Sequence, residues 1–309
     1  MKKILITGAT GFIGSHLIPE LSQNHKIVGI SKNKIKSFKN FTSSSLDITK
    51  SNLRIKNDYS DIIHMAAYSD VAYCNLNPVK CYEFNVKSTQ KMLEIARKND
   101  SSFVFLSSSH VYGNPKKQPI LENSSCNPST HYASSKRMSE ILCETYSKTY
   151  GLNIRIARIF SVYGPNSPKS NLIFNIVNQI INNPKIILGN ISPKRDFIFI
   201  SDVIDGLVKI TNSKKKKFEI YNLGSGKSIS IKNLVHDCSR ISNTKLKIVL
   251  SKEKSRKNEI MNVQANISKM KKELNWKPKI SLNEGLEKTF NYYNWKISIK
   301  YVEICQSQI

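Results

Sequence analysis

The 309 residues carry 48 Lys plus Arg against 22 Asp plus Glu, a net charge of +26, with 39% hydrophobic and 23% charged residues. No apolar run reaches the roughly 20 residues of a membrane span, and Met1-Lys2-Lys3 leads directly into a strand-like segment with no cleavable signal, so a soluble globular protein of the cytoplasm is expected. The six cysteines form no C-x-x-C pair, which argues against a zinc site or a disulfide framework, so no metal is expected. The lysines are spread along the chain, the densest run being Lys214 to Lys217, and this is read as a solvated basic surface that attracts an anionic substrate rather than as a nucleic-acid site.

Up to about residue 165, short apolar runs alternate with helical patterns. Ile4-Leu5-Ile6 runs into a turn with Gly8, Gly11 and Gly14; Ile27 to Ile30 ends at Ser31-Lys32; Ile62 to Met65 precedes a helical stretch, Tyr82 to Arg97. Phe103 to Leu106 is followed by a helix over Ser134 to Tyr150, then by Ile154 to Ile159. This alternation predicts βαβ units and an α/β, Rossmann-type doubly wound parallel sheet. Beyond Tyr163-Gly164-Pro165 a helix (Leu172 to Ile181), a strand (Lys185 to Leu188) and "RDFIFISDVIDGLVKI" follow. The last reads as a strand and a helix that Ser201 or Asp202 would cap. From about Lys227 short helices and a strand are expected. The predicted division is a dinucleotide-binding domain over 1–165, with 197–225 returning to it, and a smaller C-terminal α/β substrate lobe from 166–196 and 226–309.

Glycines at a first strand–helix junction let the backbone turn tightly and approach a pyrophosphate, whose charge meets the positive end of the helix. A dinucleotide site usually carries Asp or Glu at the end of the second strand to bind the adenosine ribose. Ser31 and Lys32 stand there instead, and a hydroxyl with an ammonium favours NADP over NAD. Tyr132 and Lys136 lie four apart on a predicted helix and so share a face. A phenol is a poor base at neutral pH, and the neighbouring ammonium is expected to lower its pKa. His64 reads as a satisfied core histidine, His16 as helix packing, and His131 as a loop residue facing the substrate. His110 reads as packing at the strand end, with acid/base chemistry as its alternative.

Gly8-x-x-Gly11-x-x-Gly14, His64-Met65-Ala66-Ala67, Asn85-Val86, Ser107-Ser108-Ser109 before Val111-Tyr112-Gly113, Tyr132-x-x-x-Lys136, Tyr163-Gly164-Pro165, Arg195-Asp196-Phe197 and Tyr221-Asn222-Leu223-Gly224 occur in that order. From Ile4 to about Tyr293 the chain resembles the extended short-chain dehydrogenase/reductases, in the branch of NAD-dependent epimerases/dehydratases that act on nucleotide sugars. The resemblance implies a catalytic set of Ser108, Tyr132 and Lys136, with Lys136 also holding the nicotinamide ribose. It implies cofactor contacts from Gly8, Gly11, Phe12, Ile13, Gly14, Ser31, Lys32, Asp47, Ile48, Ala66, Ala67 and Asn85. For the nucleotide sugar it implies Ser69, Ser109, His110, Ser161, Asn171, Leu172, Arg195, Arg256 and Glu259.

Two positions depart from the family pattern. Ser161 replaces a frequent asparagine, and Ser88 a usual glycine. Ser109 and His110 stand where dehydratases carry acids, which demotes 4,6-dehydration. The preferred expectation is an NAD(P)-dependent reductase of a nucleotide-linked 4-keto, 6-deoxy sugar; the alternative is an NAD-retaining 4-epimerase. A homodimer, paired through the helices at Tyr82–Arg97 and Ser134–Tyr150, is a further expectation from the resemblance.

Overall fold

A computed structural model describes residues 1–49, 55, 58–183, 185–214, 217–253 and 259–306, with side chains described as far as residue 295. Six strands come first: β1 (Lys3–Thr7), β2 (Lys26–Ser31), β3 (Phe41–Ser45), β4 (Asp61–His64), β5 (Ser102–Ser108) and β6 (Ile154–Ile159). The short β7 (Ser161–Tyr163), β8 (Lys185–Leu188), β9 (Lys194–Arg195) and β10 (Phe197–Phe199) follow, then β11 (Phe218–Leu223), β12 (Ile229–Ser230) and β13 (Lys247–Leu250). The helices are α1 (Phe12–Ser22), α2 (Val71–Leu76), α3 (Pro78–Asn99), α4 (His131–Tyr150), α5 (Leu172–Asn182), α6 (Ile200–Asn212), α7 (Ile231–Ile241), α8 (Ser268–Leu274) and α9 (Leu282–Gln306).

Seven strands form a parallel sheet in the order β11-β6-β5-β4-β1-β2-β3. Side chains alternate across it. Ile4 and Ile6 of β1 join Leu17 and Leu21 of α1 and Leu207 of α6 on one face. Leu5 joins Met92, Leu93 and Ala96 of α3 and Cys143 of α4 on the other. Both faces are thus covered, as parallel sheets require. The order reverses between β1 and β4, which opens a crevice at their carboxyl ends, the place where such sheets bind ligands.

Strand β3 escaped the sequence pattern because "FTSSS" holds one large apolar residue, and as an edge strand it needs only one buried face. The expected cap of α6 is corrected: the helix begins after Phe199 with no side-chain cap, and the Asp202 carboxylate instead accepts the backbone N–H groups of Lys279 and Ile280. The closing segment is one long helix, α9, rather than a short one. Among the described residues no helix is long and apolar enough to cross a membrane, and no group of His, Cys, Asp and Glu could hold a metal ion.

Candidate active site

The crevice between β1 and β4 is built by close backbone approach. Gly8 has φ +77°, and a Cβ there would stand 2.9 Å from the Ala66 nitrogen. A Cβ on Gly14 would stand 2.4 Å from the Gly8 carbonyl oxygen. Both positions therefore exclude any side chain. The Thr7 hydroxyl ties the two strand ends together by accepting the backbone N–H groups of Met65 and Ala66. Gly11 is the N-cap of α1, so the unbonded N–H groups of that helix's first turn, carried by Phe12, Ile13 and Gly14, face the turn. The donor set and the side-chain-free cradle fit the pyrophosphate of a dinucleotide.

Ser31 is buried at the end of β2 and donates to the Asn33 carbonyl at 2.5 Å. Lys32 is exposed and places its ammonium 5.6 Å from the Tyr68 ring centre and 5.3 Å from that of Phe84, over two aromatic faces. Asp47 accepts from both the backbone N–H and the hydroxyl of Thr49, and Ile48 is buried in the core under the sheet. Asn85 clamps the loop after β4, accepting the Tyr68 N–H at 2.7 Å and donating to the Tyr68 carbonyl and the Ser135 hydroxyl. Its contacts make it a positioning residue. Ser88 lies within hydrogen-bond reach of His64.

Strand β5 delivers Ser108 to a single turn of 3-10 helix, Ser109–Tyr112, whose first N–H groups Ser108 caps by accepting from His110. Helix α4 starts at the N-cap Thr130, which accepts from Ala133, and ends at Gly151 in the left-handed region. Two residues past the cap, Tyr132 brings its phenol near the Ser108 side chain. Lys136 donates to the Leu106 carbonyl at 2.7 Å and lies over the Phe105 ring. Burial pushes the Tyr132 phenol up to about 12, and the neighbouring Ser108 side chain draws it back in part. Burial likewise brings Lys136 down to about 8. The expected lowering of the phenol by Lys136 is thus corrected: desolvation outweighs it here.

His64 is a core residue, bonded to Thr7 at 2.7 Å and Thr89 at 3.2 Å, and burial lowers it to about 3. His16 packs edge-on against Phe12. His131 is the first residue of α4 rather than a loop residue, and its ring bonds Tyr82 of α3. His110 stands edge-on to the Tyr132 ring, with centroids 5.8 Å apart.

A cleft opens beside these groups. Ser109, His110, Ser161, Arg195 and Glu259 converge on its walls, and the sequence reading missed that Ser129 and Thr130 line it too. Their signal was weak, since the Thr130 hydroxyl is already used as a helix cap. Arg195 and Glu259 pair with each other at 3.0 Å, and a second guanidinium nitrogen donates to the Ile260 carbonyl at 2.6 Å. Asn171 caps α5, accepting from Ile173 and Phe174 and donating to the Val162 carbonyl. It does not line the cleft, and neither do Leu172 or the exposed Ser69. Arg256 lies outside the described residues.

Asp196 lies inside the Arg195-Asp196-Phe197 motif, and no local spacing signals its role. Fully buried, its carboxylate accepts the N–H groups of Ser225, Gly226 and Ala265 and the Ser225 hydroxyl, while its backbone carbonyl accepts from Ser161. It thereby joins three segments that flank the cleft.

Comparison with known proteins agrees with this fold. Over 94% of its length the chain is 32% identical to a putative UDP-glucose 4-epimerase of Methanocaldococcus jannaschii, covering 97% of that protein. It is also 32% identical to the UDP-glucuronate 4-epimerase of Thermodesulfobacterium geofontis, over 96% of this chain and 97% of that one. Among solved structures, the UDP-glucuronic acid 4-epimerase of Bacillus cereus, in complex with UDP-glucuronic acid and NAD, superposes with a TM-score of 0.86 at 29% identity, covering 95% of this chain and 99% of that one. Residues 4–224 match the model of the NAD dependent epimerase/dehydratase family, and with a parallel sheet whose glycine turn and Ser108–Tyr132–Lys136 set lie within that span, the chain belongs to this family of extended short-chain dehydrogenase/reductase enzymes.

Proposed function

We propose that the protein is a nucleotide-sugar 4-epimerase that retains its nicotinamide dinucleotide through the cycle. The observation that carries this reading is the nearness of Tyr132 to Ser108, beside a strand-end turn whose Ser109 and His110 supply no carboxylate. Dehydration needs an acid to expel a hydroxyl; inversion at C4 does not. The full-length likeness to 4-epimerases also supports this reading over the reductase, which was the preferred expectation. A nicotinamide seated at the β1–β4 crevice supplies hydride acceptance and return.

The chain's own groups handle the proton. Ser108 and Tyr132 stand near one another where the sugar O4 would fit, and Tyr132 Oη is the atom that takes and returns its proton. At neutral pH the phenol, pushed up to about 12, holds its proton and is poised to donate to a 4-keto oxygen. For removal of the O4 proton the buried Lys136 ammonium supplies the nearby positive charge. Arg195 is placed to meet the diphosphate once it exchanges its bond to Glu259, whose carboxylate then faces the nucleoside ribose.

The test is to release and identify the nucleotide that purifies with the protein, then to incubate the protein with UDP-glucose and with UDP-glucuronate. Retained NAD and interconversion of C4 epimers without added cofactor are expected. Stoichiometric oxidation of added NADPH by a nucleotide-linked 4-keto sugar would establish the reductase instead. For that second reading Lys32 is the motivating residue. NADPH binding at least tenfold tighter than NADH, about 1.4 kcal/mol, would favour it. Dimerisation through α3 and α4 is proposed from the exposed Val79, Met138 and Ile141 on these helices, and light scattering at the working concentration tests it.

A further inference from the structure

A buried ion pair lies directly behind the catalytic row of α4. Tyr132, Lys136 and Glu140 follow one another at single helical turns, so they line one side of the helix. Glu140 is 0% and Arg158, on β6, 2% exposed. Arg158 grips the carboxylate with both ends of its fork: Nε donates to Oε1 at 2.9 Å and Nη2 to Oε2 at 2.8 Å. Arg137 of α4 donates to the same Oε2 at 3.0 Å. The remaining Arg158 nitrogen donates to the Glu122 carbonyl at 2.9 Å, and the guanidinium lies 4.7 Å from the Tyr112 ring centre. Tyr112 closes the 3-10 turn that begins after Ser108, and its hydroxyl donates to Asn222 of β11 at 2.6 Å.

Removing two charges from water costs more than a well-packed hydrophobic pair of equal volume, so stability alone does not account for this pair. Its directional bonds do something an apolar pair would not. They fix the depth and rotation of α4 against β6 and, through Tyr112, against the turn that carries Ser108. Resting on the epimerase reading of the site, we propose that Glu140, clamped by Arg158, is a positioning residue that sets where Tyr132 and Lys136 stand against the end of β5.

Charge acts in the same direction. The titratable groups that face Lys136 are Tyr132, Glu140 and Cys143 on its own helix, Cys74 of α2, Cys81 of α3 and His64 of β4. Burial pushes Cys143 well up and Cys74 to about 12, and it holds His64 neutral. Glu140 is the carboxylate of this set, and it opposes the loss of the Lys136 proton that burial promotes.

The experiment compares wild type, Glu140→Gln and the double variant Glu140→Gln/Arg158→Met, which leaves no buried guanidinium unpaired, Arg137 being part-exposed, and so guards against simple misfolding. Two readouts are taken: the pH profile of kcat, and the titration midpoint of the Lys136 ammonium, followed by NMR on lysine-labelled protein with Lys136→Arg for assignment. In the folded double variant, kcat is expected to fall roughly tenfold or more with KM little changed, and both the alkaline limb and the Lys136 midpoint are expected to move down by about one pH unit. A folded double variant with wild-type kcat and an unmoved midpoint would overturn the proposal and leave the pair merely structural. If wild type turns over no nucleotide sugar, the epimerase reading fails, and the Lys136 midpoint alone then decides the inference: a downward move sustains it, an unmoved one ends it.

Discussion

Tyr132 and Lys136, on the α4 side of the cleft but not among the residues that line it, are 8% and 4% exposed and stand within 28 residues of Ser108 in the chain, on a strand end and the helix that follows it. On the facing wall Ser161, Arg195 and Glu259 are drawn from three distant segments, and Arg195 is held by carbonyls, by Glu259 and by its place beside the buried Asp196. The first wall is set by helical register and packing, so its geometry is stiff and its groups are desolvated. The second is set by hydrogen bonds between loops and short strands, so its charged groups keep contact with solvent and can exchange partners. On the proposed reading the contrast is a division of labour: proton chemistry sits where burial perturbs pKa, and recognition of an anionic arm sits where an arginine pairs with a part-exposed glutamate.

The largest effect expected from this division is at Tyr132. Tyr132→Phe should lower kcat by about 10²–10⁴-fold while the nucleotide remains bound, as read by steady-state turnover and by nucleotide release from the denatured protein. A loss below tenfold would move the chemistry off the α4 wall.

Next is pH. Lys136 carries its proton below about 8 and loses it above. Because the folded value lies below the ordinary one, the unfolded chain binds this proton more tightly between the two values. This group's contribution to stability therefore rises with pH across that window while kcat falls through about 8. Urea titrations and kcat measured across the same pH range should move in opposite directions; a flat kcat up to the ordinary lysine range would remove Lys136 from the mechanism.

On the facing wall, Arg195→Ala should act mainly on KM, raising it about tenfold, a cost of roughly 1.4 kcal/mol, with little change in kcat. A fall in kcat matching that of Tyr132→Phe would dissolve the distinction between the two walls. The smallest effect separates a cap from a contact. Asn171→Ala should cost about 1 kcal/mol of stability in urea unfolding and leave KM for the nucleotide sugar unchanged. A raised KM at unchanged stability would return Asn171 to the substrate, where the sequence reading put it.

Much of the first wall was legible in the sequence. The glycine turn, the strand ending in serines and Tyr132-x-x-x-Lys136 are local patterns, and helical spacing alone places the last two side chains together. The same reasoning gave the parallel strands β1, β2, β4, β5 and β6, whose apolar runs are long and buried on both faces. Less was legible where polar groups do structural work. Asp202 resembles a helix cap in sequence, and the fold uses it as a clamp on the 279–280 backbone; the capping of α5 by Asn171 was likewise not legible.

By itself, then, the order of apolar runs, glycines and the Tyr–Lys spacing determined an α/β dinucleotide fold and the row of Tyr132 and Lys136 on one helix face, because these features depend on residues within a turn or a strand of one another. Tertiary structure alone decided that Arg195 pairs with Glu259, that Glu140 meets Arg158 behind Lys136, and that burial rather than the neighbouring ammonium governs Tyr132. Ion pairing and desolvation depend on what surrounds a group in space, and no local spacing carries that information.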